Sequence, residues 1–466
     1  MKIRKHLLLL IIPLLFASCF EDMDDKISPA STLEIQSFIY RGLNFFYLYK
    51  EDVPKLADDA FGSDEERNNF LKSFDSPESL FDNLIAPQDR FSRLFDDYIA
   101  IENALSGVSM SNGMEYGLVY YPDNRDKIFG YVRYILPNSD AASKDLKRGD
   151  LFTTVDGVQL TPENYGALLA SENYSIGLAT YDGNQFTLTG ESVALTKYEY
   201  DENPVFLSKT LDIQGQKIGY IMYTGFTRRY DVELNNAFAQ FKADGVTDIV
   251  VDLRYNGGGS VETAVDLSSM ITGQFNGQLL YKELWNSDRQ GDYARDGKFD
   301  DKISTGASIN SLNLDRVYFL TTKSSASASE LVINCLNPYI NTVQIGDATA
   351  GKFQASFLLY DAPDFSRQRA STSHTYAMLP LVFKIANKNG NTDFMDGLFP
   401  NIELRENFFN LGTLGEPDEP LLAAALNQIG VSPRYIPEAF DLLEEVGGSE
   451  MGSPLHGIMV QEIDSQ

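Results

Sequence analysis

The residues best suited to chemistry are the cluster Ser324-Ser325-Ala326-Ser327-Ala328-Ser329 and, farther along, Gly351-Lys352. The serines follow the apolar run Val317-Tyr318-Phe319-Leu320, which reads as a buried strand. Glu330 and a mostly apolar run, Leu331 to Leu336, come next and read as a helix. A serine on such a strand-to-helix turn can present its hydroxyl to a cleft. The amides of the first helical turn lack intrahelical partners and can hold developing negative charge. A second apolar patch, Val343 to Ile345, ends in Gly346-Asp347-Ala348-Thr349-Ala350-Gly351-Lys352, where glycine leaves room for a lysine to turn inward. Serine is a poor nucleophile until a base takes its proton. An exposed lysine, with a pKa of about 10.4, is charged at neutral pH. Burial disfavours the ammonium and lowers that value. Small Ala350 and Gly351 and apolar Phe353 suit such a pocket.

Counting disposes of most competing chemistries. The chain has three histidines: His6 in the leader, His456 in the tail, and His374, expected at the surface. No G-x-S-x-G elbow accompanies any serine, so a Ser-His-Asp triad is nearly excluded. HExxH and paired CxxC are absent, so no metal and no cofactor are expected. Gly346-x-x-x-x-Gly351-Lys352 fits the first seven positions of a P-loop, but Phe353 stands where the magnesium-ligating Ser or Thr belongs. The Asn389, Asn391, Asp393 and Asp396 cluster reads as a polar hairpin loop rather than a calcium site.

The stretch from Arg316 to Lys352 resembles the C-terminal processing (tail-specific) serine proteases. Their pattern is S-A-S-A-S-E-I/L followed by G-E-x-T-x-G-K. The resemblance places the nucleophile on Ser327 and the general base on Lys352, twenty-five residues later, at the family's spacing. A third match is Asp252-Leu253-Arg254-Tyr255-Asn256-Gly257-Gly258-Gly259, for the family's D-L-R-x-N-x-G-G. By the same resemblance the oxyanion hole is made by the amides of Gly259 and Ala328, with Gly258 as the alternative to Gly259. The family's glutamine four residues past the lysine is here Ser356, so Gln354 is the candidate to orient Lys352. The run NSDAASKDLKRGDLFTTVDGVQL resembles the second half of a PDZ domain, a peptide-binding fold. By position, Tyr116, Gly117 and Leu118 would form its carboxylate loop.

The elements that must position these residues divide the chain. The fold class expected is multidomain α+β, with an N-terminal helical domain, a PDZ-like β domain and an α/β (crotonase-like) serine protease core. The boundaries are a lipoprotein signal peptide at 1–18, a tether at 19–30 and helices at 31–105. The PDZ-like domain spans 106–200, the catalytic domain 201–437 and a flexible tail 438–466. Within the helical part, 91–105 is compatible with a helix. Residues 275–312, rich in charge, read as a solvated excursion.

At 466 residues the chain is long for one domain, and 43% hydrophobic residues suffice for packed cores. A formal net charge of −28 argues against nucleic acid as a partner. Lys2, Arg4 and Lys5 precede the apolar Leu7 to Phe16, too short to span a bilayer comfortably, and Leu15-Phe16-Ala17-Ser18-Cys19 resembles a bacterial lipobox. Lipidation of Cys19 is expected, with anchoring in the cell envelope: outer membrane, periplasmic side or cell surface. Cys335 then remains as a small core residue. The function expected is a serine endopeptidase acting on proteins or peptides with accessible C-termini. The alternative is a catalytically silent, lipid-anchored peptide-binding protein.

Overall fold

The computed structural model describes residues 29–431, 443–452 and 456–461. The expected signal peptide, Cys19 and nearly all of the expected tether lie outside the described residues. The chain is a mixed α/β protein built around one largely parallel sheet. Val205–Ile213, Gln216–Tyr223, Asp248–Asp252, Arg316–Thr321, Asn341–Gly346 and Ile402–Glu403 are its six strands in spatial order. Only the first pair is antiparallel.

A parallel sheet is covered on both faces, which is why its strands read as continuous apolar runs. Alternation along Ile249-Val250-Val251 illustrates it. Ile249 and Val251 pack with Phe238 and Leu331 on one side, and Val250 packs with Leu421 and Leu422 on the other. Helices Asp231–Asp244, Val261–Ile271 and Ala328–Leu336 cover the first face, and Pro420–Ile429 covers the second.

A second six-stranded sheet has the order Gly259–Ser260, Met459–Val460, Gln354–Ser356, Leu381–Asn387, Leu279–Trp285, Asp296–Lys298. Leu279–Trp285 corrects the reading of 275–312 as a solvated excursion: Leu280, Tyr281, Trp285, Phe299 and Ile303 are all buried. The charged residues there alternate with apolar ones, and the apolar ones face the core.

Helices Thr32–Phe46, Asp64–Leu71 and Pro77–Leu84 begin at the N-caps Ser31, Ser63 and Ser76, each accepting a backbone N–H. They have no core of their own. Phe46 packs edge-on against Phe357 at 5.7 Å and Phe365 at 5.5 Å, inside a core continuous with the first face of the parallel sheet. The single helix expected over 91–105 is split. Arg93–Phe95 pairs as a strand with Ala377–Leu379, and Asp97 caps a shorter helix, Tyr98–Leu105.

Residues 106–200 supply most of a seven-stranded antiparallel sheet. Met114–Tyr120 pairs with Ile128–Ile135 on one side and with Glu445–Gly448, the edge strand, on the other. The reading of 438–466 as a flexible tail is thereby corrected for its described residues, two stretches of which are strands in separate sheets.

Candidate active site

Three consecutive parallel strands, Asp248–Asp252, Arg316–Thr321 and Asn341–Gly346, end side by side. Leaving their carboxyl ends are the glycine loop 253–259, the turn carrying Ser327 and the loop carrying Lys352. Open α/β sheets bind ligands at this edge.

Ser327 stands at the N-terminus of helix Ala328–Leu336 with φ of 66° and ψ of −112°, a conformation that strains a residue with a side chain. The turn is held from both sides. Ser325 Oγ donates to Leu253 O at 2.7 Å, Ala326 N to Asn256 O at 3.0 Å, and Ser329 Oγ to Asn256 O at 3.1 Å. Thr322 Oγ1 donates to Arg254 O.

Glu330 joins the serine turn to the lysine loop. Its Oε2 accepts from Ser327 N at 2.7 Å and Lys352 N at 2.8 Å, so the two backbones meet at one oxygen atom. Its Oε1 accepts from Thr349 Oγ1 at 2.5 Å and Gly351 N at 2.7 Å. Burial lifts the Glu330 pKa, and the four donors pull it back.

Ser327 and Lys352 are both fully buried. Among the described residues, neither Ser327 Oγ nor Lys352 Nζ has a hydrogen-bond partner. Unpartnered buried polar groups are rare in structural roles. Lys352 Nζ lies over the Phe91 ring, 5.2 Å from its centroid. Burial, aided by the positive charge of Arg93 and opposed by Asp89 and Glu330, brings the ammonium pKa down to about 7.

The glycine loop is fixed by Asn256, whose Nδ2 donates to Tyr223 O at 2.8 Å and whose Oδ1 accepts from Gly258 N at 2.9 Å. The Gly258 amide thus has a side-chain acceptor within its own loop. Gly259 N donates instead to the carbonyl of Ile458 at 2.8 Å. Gly258 and Gly259 have φ of 112° and 134°, values that favour glycine, and a β-carbon on Gly259 would collide with the Phe226 carbonyl.

Arg254 braces the loop from below. Fully buried, it pairs with Asp252 at 2.8 Å, Glu419 at 2.7 Å and Glu406 at 3.0 Å, while Arg148 reaches Glu406 at 2.7 Å. Arg254→Met leaves three carboxylates without their shared cation. It is expected to cost about 3–5 kcal/mol of stability, read as a shift of the urea midpoint at unchanged slope. A shift below about 1 kcal/mol would mean that Arg148 alone neutralises the cluster.

Other expectations fare unevenly. Gln354 does not orient Lys352; its Nε2 donates to Tyr49 Oη at 2.9 Å. The strand begins at Gln354, so Lys352 lies in the preceding loop and the two do not share a strand face. Tyr116, Gly117 and Leu118 sit mid-strand, not in a loop. Cys335 is a buried free thiol, its pKa pushed up by burial. The His374 side chain is 7% exposed rather than on the surface, its Nε2 3.1 Å from Asp361. Glu330 stands inside the S-A-S-E motif, which by itself assigns it no role. Its stretch of apolar neighbours marks it as a buried carboxylate, the signal that could have singled it out.

Here the fold and the site define a mixed α/β protein with a serine and a lysine buried together at the carboxyl ends of neighbouring strands. Residues 217–376 match the profile of Peptidase family S41, and residues 34–93 match the Peptidase S41 N-terminal domain. Over these two stretches the chain is similar to peptidase family S41. It is 23% identical over 292 residues to a carboxyl-terminal-processing protease of Picosynechococcus sp., covering 62% of this chain and 65% of that protein. It is 23% identical over 231 residues to the chloroplastic C-terminal processing peptidase of Tetradesmus obliquus, covering 46% of each. The chain thus spans just under two thirds of the first and about half of the second. The crystal structure of a Bacteroides fragilis protein designated an S41 protease superposes with a TM-score of 0.65 at 26% identity, covering 84% of this chain and 97% of that one.

Proposed function

We propose that the protein is a serine endopeptidase of the tail-specific class, hydrolysing peptide bonds of envelope proteins through a Ser327–Lys352 dyad. The observation that carries this reading is the pair of buried, unpartnered groups: a hydroxyl on a strained turn and an amine with a pKa near 7. The naming of the relatives as carboxyl-terminal-processing proteases supports it. At neutral pH about half the Lys352 amines are uncharged and able to take a proton. Ser327 Oγ attacks the substrate carbonyl and passes its proton to Lys352. The developing oxyanion is held by the amides of Gly259 and of Ala328 at the helix start. Lys352 then protonates the leaving amine, and water hydrolyses the acyl-enzyme. No metal or cofactor is invoked. The lipobox-like Cys19 would tether the enzyme to an envelope membrane, where loosely structured protein C-termini would be its substrates.

The test compares the protein lacking residues 1–19 with its Ser327→Ala and Lys352→Ala forms. Each is incubated with casein and the fragments are read by mass spectrometry. Cleavage is expected from the wild type only, with each variant slower by at least about 10³-fold. Equal cleavage by Ser327→Ala would sink the dyad.

A further inference from the structure

The described residues of the C-terminal segment run into the candidate active site. Glu445–Gly448 adds antiparallel to the exposed edge of Met114–Tyr120, opposite Val119, Leu118 and Gly117. Charge fixes this register: Arg133, itself buried, binds Glu445 at 3.2 Å and Glu450 at 2.5 Å. Glu450 Oε1 also accepts from Ser324 Oγ at 3.0 Å, three residues before Ser327. Beyond it, Met459–Val460 fills the gap between Gly259–Ser260 and Gln354–Ser356, parallel to both. Gln461 N donates to Ser356 O at 3.1 Å.

The placement of Ile458 is the decisive detail. Its carbonyl accepts from Gly259 N, the amide proposed above for the oxyanion hole. A β-carbon at Gly258 would lie 2.5 Å from Ile458 O, 2.6 Å from Ser327 Cβ and 2.9 Å from Ser327 Oγ. The carbonyl and the hydroxyl therefore flank one methyl-sized volume. On the other side, Phe91, which covers Lys352 Nζ, lies 3.3 Å from a β-carbon built at Gly457. An inhibitory plug would be safest with its carbonyls turned away from the hole. This segment is extended and offers one to it.

We infer that the chain's own C-terminal segment is a substrate of its serine, cut in cis between Ile458 and Met459. This rests on the peptidase reading above. Ser327 Oγ bonds to the Ile458 carbonyl carbon, its proton passes to Lys352 Nζ, and the carbonyl electron pair moves to the oxygen held by Gly259 N–H. Collapse breaks the bond to Met459, whose nitrogen takes the proton from Lys352. Water then hydrolyses the ester, leaving a chain that ends in the Ile458 carboxylate, a free peptide starting at Met459 and a restored Ser327. Release of that peptide removes an inner strand of the second sheet and uncovers the glycine loop, where Gly257, Gly258 and Gly259 line a cleft of about 2190 Å³.

The experiment follows intact mass over time for the wild type, Ser327→Ala and Met459→Pro, with casein cleavage measured in parallel. Proline at the leaving position removes the amide hydrogen and resists this cut without touching the dyad. The expected result is accumulation of a form ending at Ile458 in the wild type alone, at a rate unchanged by tenfold dilution, with Met459→Pro remaining full length. A wild type that digests casein while keeping its tail would overturn the inference and leave the peptidase reading intact. The same cut in Ser327→Ala, a cut at another bond, or a rate that scales with protein concentration would also overturn it. Failure of both tail and casein cleavage would overturn both.

Discussion

Lys352→Met is expected to abolish peptide-bond cleavage and at the same time to make the folded protein more stable at pH 7. The two effects have one cause. In the unfolded chain the amine has its ordinary pKa of 10.5, and in the folded chain burial holds it near 7. As pH falls from about 10 to about 7, the unfolded chain takes up a proton that the folded chain does not, so stability is lost across that window and levels off below it. The full penalty is on the order of 5 kcal/mol. Methionine has nearly the same shape and no charge to desolvate. It should therefore melt higher than the wild type at pH 7, and the gap should shrink towards pH 10. Equal gaps at both pH values would refute the depressed pKa. The same titration sets the activity profile. The lysine must be neutral to act as base, so kcat/KM should rise with pH and break near 7. Arg93→Gln removes a nearby positive charge that helps depress the amine, so the acid limb should move to higher pH.

The serine turn and the lysine loop were legible in the sequence because each is local. A strand, a small-residue turn and a helix follow one another around Ser327, and Gly351-Lys352 closes the next strand-to-loop unit. The glycine loop was equally local, and it follows directly on Asp252, the end of a buried strand. What the sequence hid is what depends on distant pairing. Glu445–Gly448 and Met459–Val460 have little strand propensity of their own: two glycines in one, two residues in the other. They are strands because free edges at Met114–Tyr120 and Gln354–Ser356 accept them, and no local pattern reports a free edge elsewhere in the chain. Gln354 failed for a related reason. The strand begins at Gln354 itself, so Lys352 lies in the loop before it, and the Gln354 amide meets Tyr49, a partner distant in the chain.

Glu330→Gln is expected to be the most damaging single-atom exchange in the protein outside the dyad. The carboxylate of Glu330 is surrounded by four donors: the amides of Ser327, Gly351 and Lys352 and the hydroxyl of Thr349. A glutamine side chain carries two hydrogens on one end. Placed at Oε2, that end faces two backbone N–H groups. Placed at Oε1, it faces the Gly351 amide and a hydroxyl that can rotate to accept. In either orientation at least one buried N–H loses its acceptor, at about 1–3 kcal/mol per group. The loss of negative charge removes charge-assisted bonds as well. The kinetic effect should exceed what a uniform loss of stability would give. Among the described residues, Glu330 is the one side chain that bonds to both the strained turn of Ser327 and the backbone of Lys352, so relaxing it misaligns nucleophile and base together. A displacement of about 1 Å between reacting groups can cost about 10²-fold in rate. The expected outcome is a fall in kcat of at least about 10²-fold with KM little changed, because no substrate atom needs to touch this buried carboxylate, while urea unfolding shows the loss of a few kcal/mol. A variant that loses stability but keeps its kcat would show that Glu330 only holds the fold. One that keeps both would show that the turn and the loop are aligned by the Leu253 and Asn256 contacts instead.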